Sequence, residues 1–308
     1  MAALLLCAGC SLNPPLDLAD TVAAGEPVEM VELVEVPFHP QQAHHCGPAS
    51  LLTMLEHSGV SPGYDAVARR VYVPGLEGSL QVEMLAAGRQ FGRLTYPVVP
   101  EPAALVAEVA AGRPVLVLLN LGVPSSPRWH YAVVVGFDPQ TNRIFMRSGT
   151  EPRRAKKAPA WLRQWDWAGR WAMVLLRPGE WPAQPHRERL LQALADFEDS
   201  APAESAGQAW RAATDHWPDE PLAWLGLGNA AHRLQDWNAA QAAYRRALEL
   251  DPEHLAARLN LALTLQETGQ ACEGLEELHS PPSEDHPLSP AFAELRNSLQ
   301  QRCQGEAC

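Results

Sequence analysis

Hydrophobic spacing divides the chain into two regions of different structure. Between residues 28 and 178, short apolar segments that fit β-strands alternate with segments of helical period. Helices mainly in the first half and strands mainly in the second half predict an α+β domain. The predicted strands are residues 31–37, 115–121, 131–135, 143–147 and 171–176, and the predicted helices are residues 47–57, 80–90 and 103–111.

Residues that favour helix ends support these boundaries. Pro48 falls in the first turn of the first predicted helix, where a missing N–H costs nothing because that turn offers no acceptor. Ser79 is expected to cap the helix that runs to about Gln90. Gly112 is expected to end the helix before it, since glycine accepts the backbone conformation found there.

Residues 187–308 are rich in Ala and Leu and have a helical period throughout. Beginning at Pro221, nine residues fall at the positions of a 34-residue tetratricopeptide repeat. They are Trp224, Leu227, Gly228, Ala231, Trp237, Ala240, Tyr244, Ala247 and Pro252. Small Gly228 lets two helices approach, and large Tyr244 fills the space between them. Partial matches one period before and after predict an all-α domain of about two and a half repeats.

Charge is distributed unevenly between these regions. The 308 residues have a formal net charge of −12, and residues 179–308 contain 21 acidic and 9 basic side chains. The break near residue 180 indicates a domain boundary, so we expect segments 1–27, 28–178 and 187–308. The acidic total argues against nucleic-acid binding, which needs a basic surface. After the N-terminus no apolar run is long enough to span a membrane.

The first ten residues are short, apolar and end in Ala8, Gly9 and Cys10. This pattern resembles the end of a bacterial lipoprotein signal, in which a small residue precedes the cysteine that is lipidated. The resemblance implies a lipid on Cys10, a polar tether over residues 11–27 and, with Ser11 after Cys10, a place in the outer membrane facing the periplasm. Cys7 departs from the usual Leu, and no Lys or Arg precedes the apolar run. A frayed hydrophobic N-terminus is the alternative.

Three further cysteines lie in the helical region, at Cys272, Cys303 and Cys308. An oxidising compartment would permit a bridge between Cys272 and Cys303, and free thiols are the alternative.

The most informative segment contains Cys46 directly before a predicted helix. A helix N-terminus stabilises a thiolate, and a nearby cationic imidazole would lower the pKa of the thiol further. Gly47 removes a side chain beside the sulfur, which leaves room for a substrate backbone. Together these features predict that Cys46 is a nucleophile with a lowered pKa. An ordinary buried cysteine is the alternative.

Two other residues would complete a site around Cys46. His130 begins an apolar strand, which would hold it rigidly as a general base. It lies 84 residues after Cys46, so only the fold can bring the two together. Gln41 precedes Cys46 on the same loop, and its amide could join the Cys46 N–H in holding an oxyanion. Gln42 is the rival for this role.

These motifs, Gln41 with Cys46-Gly47-Pro48 and His130-Tyr131, together resemble the papain-like peptidases that cleave double-glycine leader peptides of bacteriocins. The nearest subgroup is a bacterial lipoprotein form with C-terminal tetratricopeptide repeats. The resemblance covers residues 30–178 and the repeats. It implies a papain-like cysteine peptidase domain in which Cys46 attacks a peptide carbonyl, His130 transfers the proton and Gln41 holds the oxyanion.

One position departs from that family, where an Asp usually orients the histidine from the next strand. A turn predicted over residues 136–142 would set Ser148 or Gly149 opposite His130, so Ser148 occupies the orienting place. A hydroxyl can accept the imidazole N–H, but it stabilises an imidazolium less than a carboxylate does. Asp138 is not a substitute, because it would lie at the turn, about 26 Å from His130.

Three other groups of side chains are predicted to have structural rather than catalytic roles. The cluster of His39, His44 and His45 beside Cys46 is not expected to bind metal, since adjacent histidines point apart. A basic group is predicted to be a solvated loop, with a docking patch for an acidic partner as the alternative. It consists of Arg153, Arg154, Lys156 and Lys157. Four tryptophans are predicted to pack in the core or line the cleft. They are Trp161, Trp165, Trp167 and Trp171.

The sequence therefore predicts an exported, lipid-anchored cysteine peptidase that needs no cofactor or metal. Its expected partners are a peptide or protein substrate, a protein held by the acidic repeats, and the membrane that receives the lipid. A peptidase-like adaptor that binds peptides without cleaving them is an alternative, favoured by Ser148 at the orienting place. Acyl transfer to an amine is a third possibility, because a thioester intermediate can react with either nucleophile.

Overall fold

The structure is a computed structural model that describes residues 16–21, 29–41 and 44–306. These residues form two compact units. The first extends to Leu175 and includes Pro182–His186, and the second contains Leu176–Trp181 and the chain from Arg187 onward. The first combines helices with an antiparallel sheet and the second is helical, so the predicted fold class is confirmed.

The first part of the chain alternates helices with strands. Its elements are α1 (Leu18–Thr21), β1 (Val31–Glu32), α2 (Cys46–His57), α3 (Tyr64–Val71), α4 (Gln81–Gln90), β2 (Leu94–Pro97), α5 (Pro102–Ala110), β3 (Val115–Asn120), β4 (Trp129–Asp138), β5 (Arg143–Ser148), β6 (Glu151–Lys157), α6 (Ala158–Asp166) and β7 (Ala172–Leu176). The strand order is β2-β7-β3-β4-β5-β6, and β1 pairs with β4.

Strand β4 is the centre of the first unit. Its residues Val133 and Val135 belong to the apolar core that also contains Leu51 and Leu55 of α2. The intervening Val134 is completely buried as well, so β4 is covered on both faces. A strand covered on both faces carries a continuous apolar run rather than an alternating one, which is why this segment is easily identified in the sequence.

Strand β1 is shorter than predicted, because the chain leaves the sheet after Glu32. The Arg147 guanidinium donates hydrogen bonds to the carbonyl oxygens of Leu33, Val34 and Val36. The Arg147 side chain on β5 thus binds the carbonyl oxygens that a neighbouring strand would otherwise bind, and residues 33–36 form a loop around it.

The basic group assigned to a loop forms strand β6 instead. Gly149, with φ of +66°, makes the tight turn from β5 into β6. β6 is an edge of the sheet, and its charged side chains suit an edge that faces water. The sequence does not predict this strand because its residues alternate between exposed and half-exposed positions rather than between polar and apolar types.

Part of the predicted tether is docked on the first unit. Leu16 and Leu18 are buried, and the Leu18 N–H donates to the Asn142 side-chain oxygen. The Asn142 amide in turn donates to the Leu16 carbonyl, at 2.8 Å. Residues 16–21 are therefore held at the turn between β4 and β5. Cys7 and Cys10 lie outside the described residues.

The second unit is built from paired helices. They are α7 (Arg187–Glu198), α8 (Ala203–His216), α9 (Pro221–Arg233), α10 (Trp237–Leu250), α11 (Leu255–Glu267), α12 (Ala271–Glu277) and α13 (Ser289–Glu306). A disulfide joins Cys272 to Cys303, as the sequence permitted, and Cys308 lies outside the described residues. In the part of the chain that the structure covers, no helix is both long and apolar enough to cross a membrane.

Glycines set the distance between helices in this unit. A Cβ on Gly228 would lie 2.4 Å from the Tyr244 ring, and one on Gly226 would lie 2.1 Å from the Trp210 ring. Both aromatic side chains are almost completely buried. The close packing expected for Gly228 and Tyr244 is therefore present, and the sequence analysis had not singled out the Gly226–Trp210 pair.

We expect Gly226→Ala to lower the free energy of unfolding by about 1–3 kcal/mol, because the new methyl group overlaps a buried ring. The matched control is Gly207→Ala in α8, where the nearest atom to the added Cβ is 3.5 Å away. That change should raise the free energy of unfolding by about 0.5–1 kcal/mol through helix propensity. Chemical denaturation of the full chain measures both, and equal effects of the two changes would contradict this packing.

Candidate active site

A cleft of about 990 Å³ in the first unit contains Gln41, Cys46 and His130. Its walls also include the loop around Ser79 and the start of β4. The fold therefore brings together three residues that the sequence separates by up to 89 positions. Ser148 lies behind His130 and is buried.

Cys46 is the first residue of α2, and its thiol is fixed by backbone groups. The backbone N–H groups of Tyr131, Gly47 and Cys46 itself lie near the sulfur and favour its thiolate form. Because Tyr131 directly follows His130, this contact places the thiol against the start of β4. The helix that carries the candidate nucleophile and the strand that carries the candidate base therefore meet at the sulfur.

Gly47 is required by packing as well as by access to the thiol. A Cβ at this position would lie 2.2 Å from Ser79 Oγ, so no larger residue fits without displacing Ser79. Ser79 does not cap α4 as predicted, because the helix begins at Gln81 with Leu80 as its cap residue. Instead its hydroxyl is buried against Gly47, and its carbonyl accepts a hydrogen bond from the Tyr131 hydroxyl.

The predicted lowering of the thiol pKa is wrong. Burial raises the pKa of Cys46, and the backbone N–H groups offset this only in part. Burial, with a smaller contribution from the Arg154 charge, lowers the pKa of His130 to about 4. At neutral pH the site therefore holds a neutral thiol beside a neutral imidazole. The helix N-terminus is too weak to outweigh removal of the thiolate from water.

His130 contacts Ser148, with 2.9 Å between Nε2 and Oγ. This is the pair expected from the turn, although the turn is shorter than predicted and includes only residues 139–142. In the observed register Val133 faces Arg147, so Ser148 comes level with Ala132, two residues from His130. Diagonal neighbours on one face of a sheet remain within side-chain reach. The contact engages Nε2 of His130, so Nδ1 is the ring nitrogen that Ser148 does not use.

Gln41 is attached to the same region of the sheet. Its backbone N–H donates to the Gly149 carbonyl, at 3.2 Å, directly after Ser148. Its side chain lines the cleft together with Cys46. The Cys46 N–H lies at the first position of α2, where backbone donors have no partner inside the helix. Gln42 lies outside the described residues.

The neighbouring histidines have separate partners. His39 Nε2 is 2.7 Å from Glu56 Oε2, and His45 Nδ1 is 2.8 Å from the Tyr64 hydroxyl. Among the described residues, no three His, Cys, Asp or Glu side chains converge as metal ligands would. His44 has φ of +63°, an unusual conformation for a non-glycine residue, in the turn before Cys46.

Several residues at the site were not identified from the sequence. The Tyr131 backbone and hydroxyl brace Cys46 and Ser79, and no sequence pattern reports such backbone contacts. Trp129, 56% exposed, and Leu76, 60% exposed, are apolar residues on the cleft rim. Trp129 directly precedes His130, so a large apolar residue beside the candidate base could be identified from the sequence. Trp161 and Trp165 are buried in α6 and do not line the cleft.

We expect the alkylation rate of Cys46 by iodoacetamide to rise with pH through a pKa above that of an ordinary thiol. A neutral thiol–imidazole pair has little thiolate at pH 7, whereas a preformed ion pair would give a flat rate between about pH 5 and 8. Adducts mapped by mass spectrometry separate Cys46 from the other cysteines, and glutathione is the reference thiol. A flat profile for Cys46 would contradict the neutral pair.

Comparison with known proteins agrees with the geometry. Residues 33–166 match the sequence model of the Peptidase_C39 like family, and residues 221–254 match that of the tetratricopeptide repeat. No curated protein matches the chain.

Two solved structures each resemble part of the chain. A Bacillus anthracis protein described as a C39-like peptidase aligns with a TM-score of 0.40 and 16% identity, over 49% of this chain and 98% of its own. The Type III secretion translocator chaperone SycD of Yersinia enterocolitica aligns with a TM-score of 0.35 and 17% identity, over 38% of this chain and 85% of its own. The chain is thus similar to the Peptidase_C39 like family over residues 33–166 and to the tetratricopeptide repeat over residues 221–254.

Proposed function

We propose that this protein is an exported, lipid-anchored cysteine peptidase that hydrolyses peptide bonds through Cys46 and His130. The observation that carries the proposal is that Cys46, His130 and Gln41 line one cleft, with the Tyr131 backbone close to the Cys46 thiol. It sets a thiol at a helix start beside the residue that follows a buried, neutral histidine, within one cleft. A nucleophile and an unprotonated base in contact with the same cleft are the minimum for acyl transfer.

The chemical steps follow from the neutral pair. As the Cys46 sulfur attacks the peptide carbonyl carbon, His130 Nδ1 takes the thiol proton, so the thiolate forms only as it is used. The oxyanion accepts hydrogen bonds from the Gln41 amide and the Cys46 N–H. His130 then gives the proton to the leaving amine as the C–N bond breaks and a thioester remains. Water attacks the thioester with His130 as base, and the carboxylic acid and the thiol are restored.

Ser148 is a positioning residue in this scheme. Its hydroxyl contacts Nε2 of His130, which leaves Nδ1 as the nitrogen that takes the thiol proton in this scheme. A serine lacks the negative charge that would stabilise the imidazolium formed during the reaction. We therefore propose slower turnover than a carboxylate at this position would allow.

The cleft rim favours an extended peptide with apolar side chains. Trp129, Leu76 and Leu80 line the cleft that contains Cys46, and all three are exposed. Exposed apolar side chains that flank a cleft mark a surface that a partner covers. The resemblance to leader peptidases favours small residues before the scissile bond. The acidic repeats are proposed to hold a protein partner.

We expect the purified chain to cleave members of a defined peptide mixture, with products read by mass spectrometry. Cys46→Ala should abolish cleavage, and Gln41→Ala should lower turnover by about 10²–10³-fold because one oxyanion donor is lost. Gln140→Ala, at the exposed turn after β4, is the matched control and should change nothing. Peptides that bind but emerge intact would overturn the peptidase and favour the adaptor.

Lipid attachment is tested separately. In a bacterial host fed an alkyne-labelled fatty acid, the chain should incorporate the label and fractionate with membranes. Cys10→Ser should remove both, since the lipid requires that thiol, whereas Cys7→Ser should keep both. Unlabelled wild-type protein in the soluble fraction would contradict the anchor without affecting the peptidase proposal.

A further inference from the structure

A second, much smaller cavity lies behind the catalytic histidine. Its volume is about 10 Å³, which is close to the smallest space that holds one water molecule. It is lined mainly by polar side chains of the loop before α2, of α2 itself and of β5. Those that bear on the argument are His39, Gln41, Thr53 and Ser148. A site of this size with several polar partners favours a bound water.

The donors and acceptors on the His130 side have a defined direction. For Nδ1 of His130 to take the thiol proton, Nε2 must carry the other proton and donate it to Ser148 Oγ, 2.9 Å away. The hydroxyl proton of Ser148 then points elsewhere. Among the described residues no protein acceptor for it is found, and the small cavity borders this side chain.

The opposite side of the cavity presents a matching acceptor. Nε2 of His39 lies 2.7 Å from Glu56 Oε2, and a carboxylate accepts, so Nε2 of His39 carries its proton. In the neutral form of His39, Nδ1 is then the acceptor. The Glu56 contact therefore fixes the tautomer of His39 in the form that can receive a hydrogen bond from a water in the cavity.

We propose that one water in this cavity joins Ser148 to His39, so that hydrogen bonds run from His130 through Ser148, the water and His39 to the carboxylate of Glu56. This chain holds His130 in the Nε2–H tautomer. His39 and Glu56 are thus positioning residues, and they supply at a distance the acidic group that the family places directly beside the histidine. The role of His39 and Glu56 in catalysis rests on the proposed function, whereas their effect on the His130 tautomer does not.

The other charged groups near this chain are two arginines. Arg147 lines the cavity, but its guanidinium is engaged by backbone carbonyls of the loop 33–36 and of Pro152. Arg154 on β6 acts on His130 and disfavours its protonated form. The Glu56 carboxylate, about a quarter exposed, is the negative group that faces this region from α2. A water chain to it therefore opposes the effect of Arg154 on His130.

The test is ¹⁵N NMR of the histidine rings in the full chain at pH 7, which reads the tautomer of His130. The wild type should be mainly Nε2–H. His39→Phe removes the acceptor and keeps the ring size, so Ser148 is free to donate to His130 instead. The Nδ1–H fraction of His130 should then rise at least fivefold, and alkylation of Cys46 by iodoacetamide at pH 7 should slow by about three- to tenfold.

Glu56→Leu should act in the same direction, since it releases the tautomer of His39, and it serves if His39→Phe does not fold. Glu101→Gln on the exposed start of α5 is the matched control and should leave the tautomer unchanged. In a Ser148→Ala background, His39→Phe should have no further effect on His130, because the chain passes through that hydroxyl.

Three results would overturn the proposed hydrogen-bond chain. The first is a wild-type His130 that is already Nδ1–H. The others are a His130 tautomer that changes with neither His39→Phe nor Glu56→Leu, and an effect of His39→Phe on His130 that is equal with and without Ser148. Failure of the peptidase proposal is distinguishable. In that case the His130 tautomer responds as described but no peptide is cleaved. Cleavage together with a His130 tautomer that does not respond rejects only the proposed hydrogen-bond chain.

Discussion

The close approach of the Tyr131 amide to the Cys46 sulfur is the contact on which the site depends. It ties the first residue of α2 to the beginning of β4, two elements that are far apart in sequence and share one apolar core. The core fixes the position of the helix against the strand, and that position in turn fixes the sulfur. A small shift of α2 along β4 would separate nucleophile and base, although nearly every apolar contact would remain.

The electrostatics of the site follow from burial more than from the helix. Removing a thiol and an imidazole from water favours their neutral forms, and backbone N–H groups recover only part of the loss for the thiolate. A site of this kind stores its proton on sulfur until substrate arrives. Its rate therefore depends on how well His130 is oriented, which gives the hydroxyl of Ser148 and the groups behind it more influence than they would have beside a preformed ion pair.

Much of this arrangement could be predicted from the sequence, because the signals are local. The apolar run of β4, the proline after Cys46 and the 34-residue period each report one element. The Ser148 contact could be predicted because a hairpin constrains its register closely. By contrast, β6 and the short β1 depend on an edge position and on the Arg147 guanidinium, neither of which leaves a pattern. The sign of the Cys46 pKa change could not be predicted, since it depends on how deeply the thiol is buried.

The docking of residues 16–21 limits how far the first unit could reach from a lipid on Cys10. Five residues separate Cys10 from Leu16, and the six fully extended steps between these two residues span at most about 22 Å. A lipid on Cys10 would therefore keep the turn at Asn142 close to the bilayer surface, while His130 lies towards the other end of β4. Such a short connection to the lipid would restrict the first unit to contacts with proteins that come within a few nanometres of the membrane.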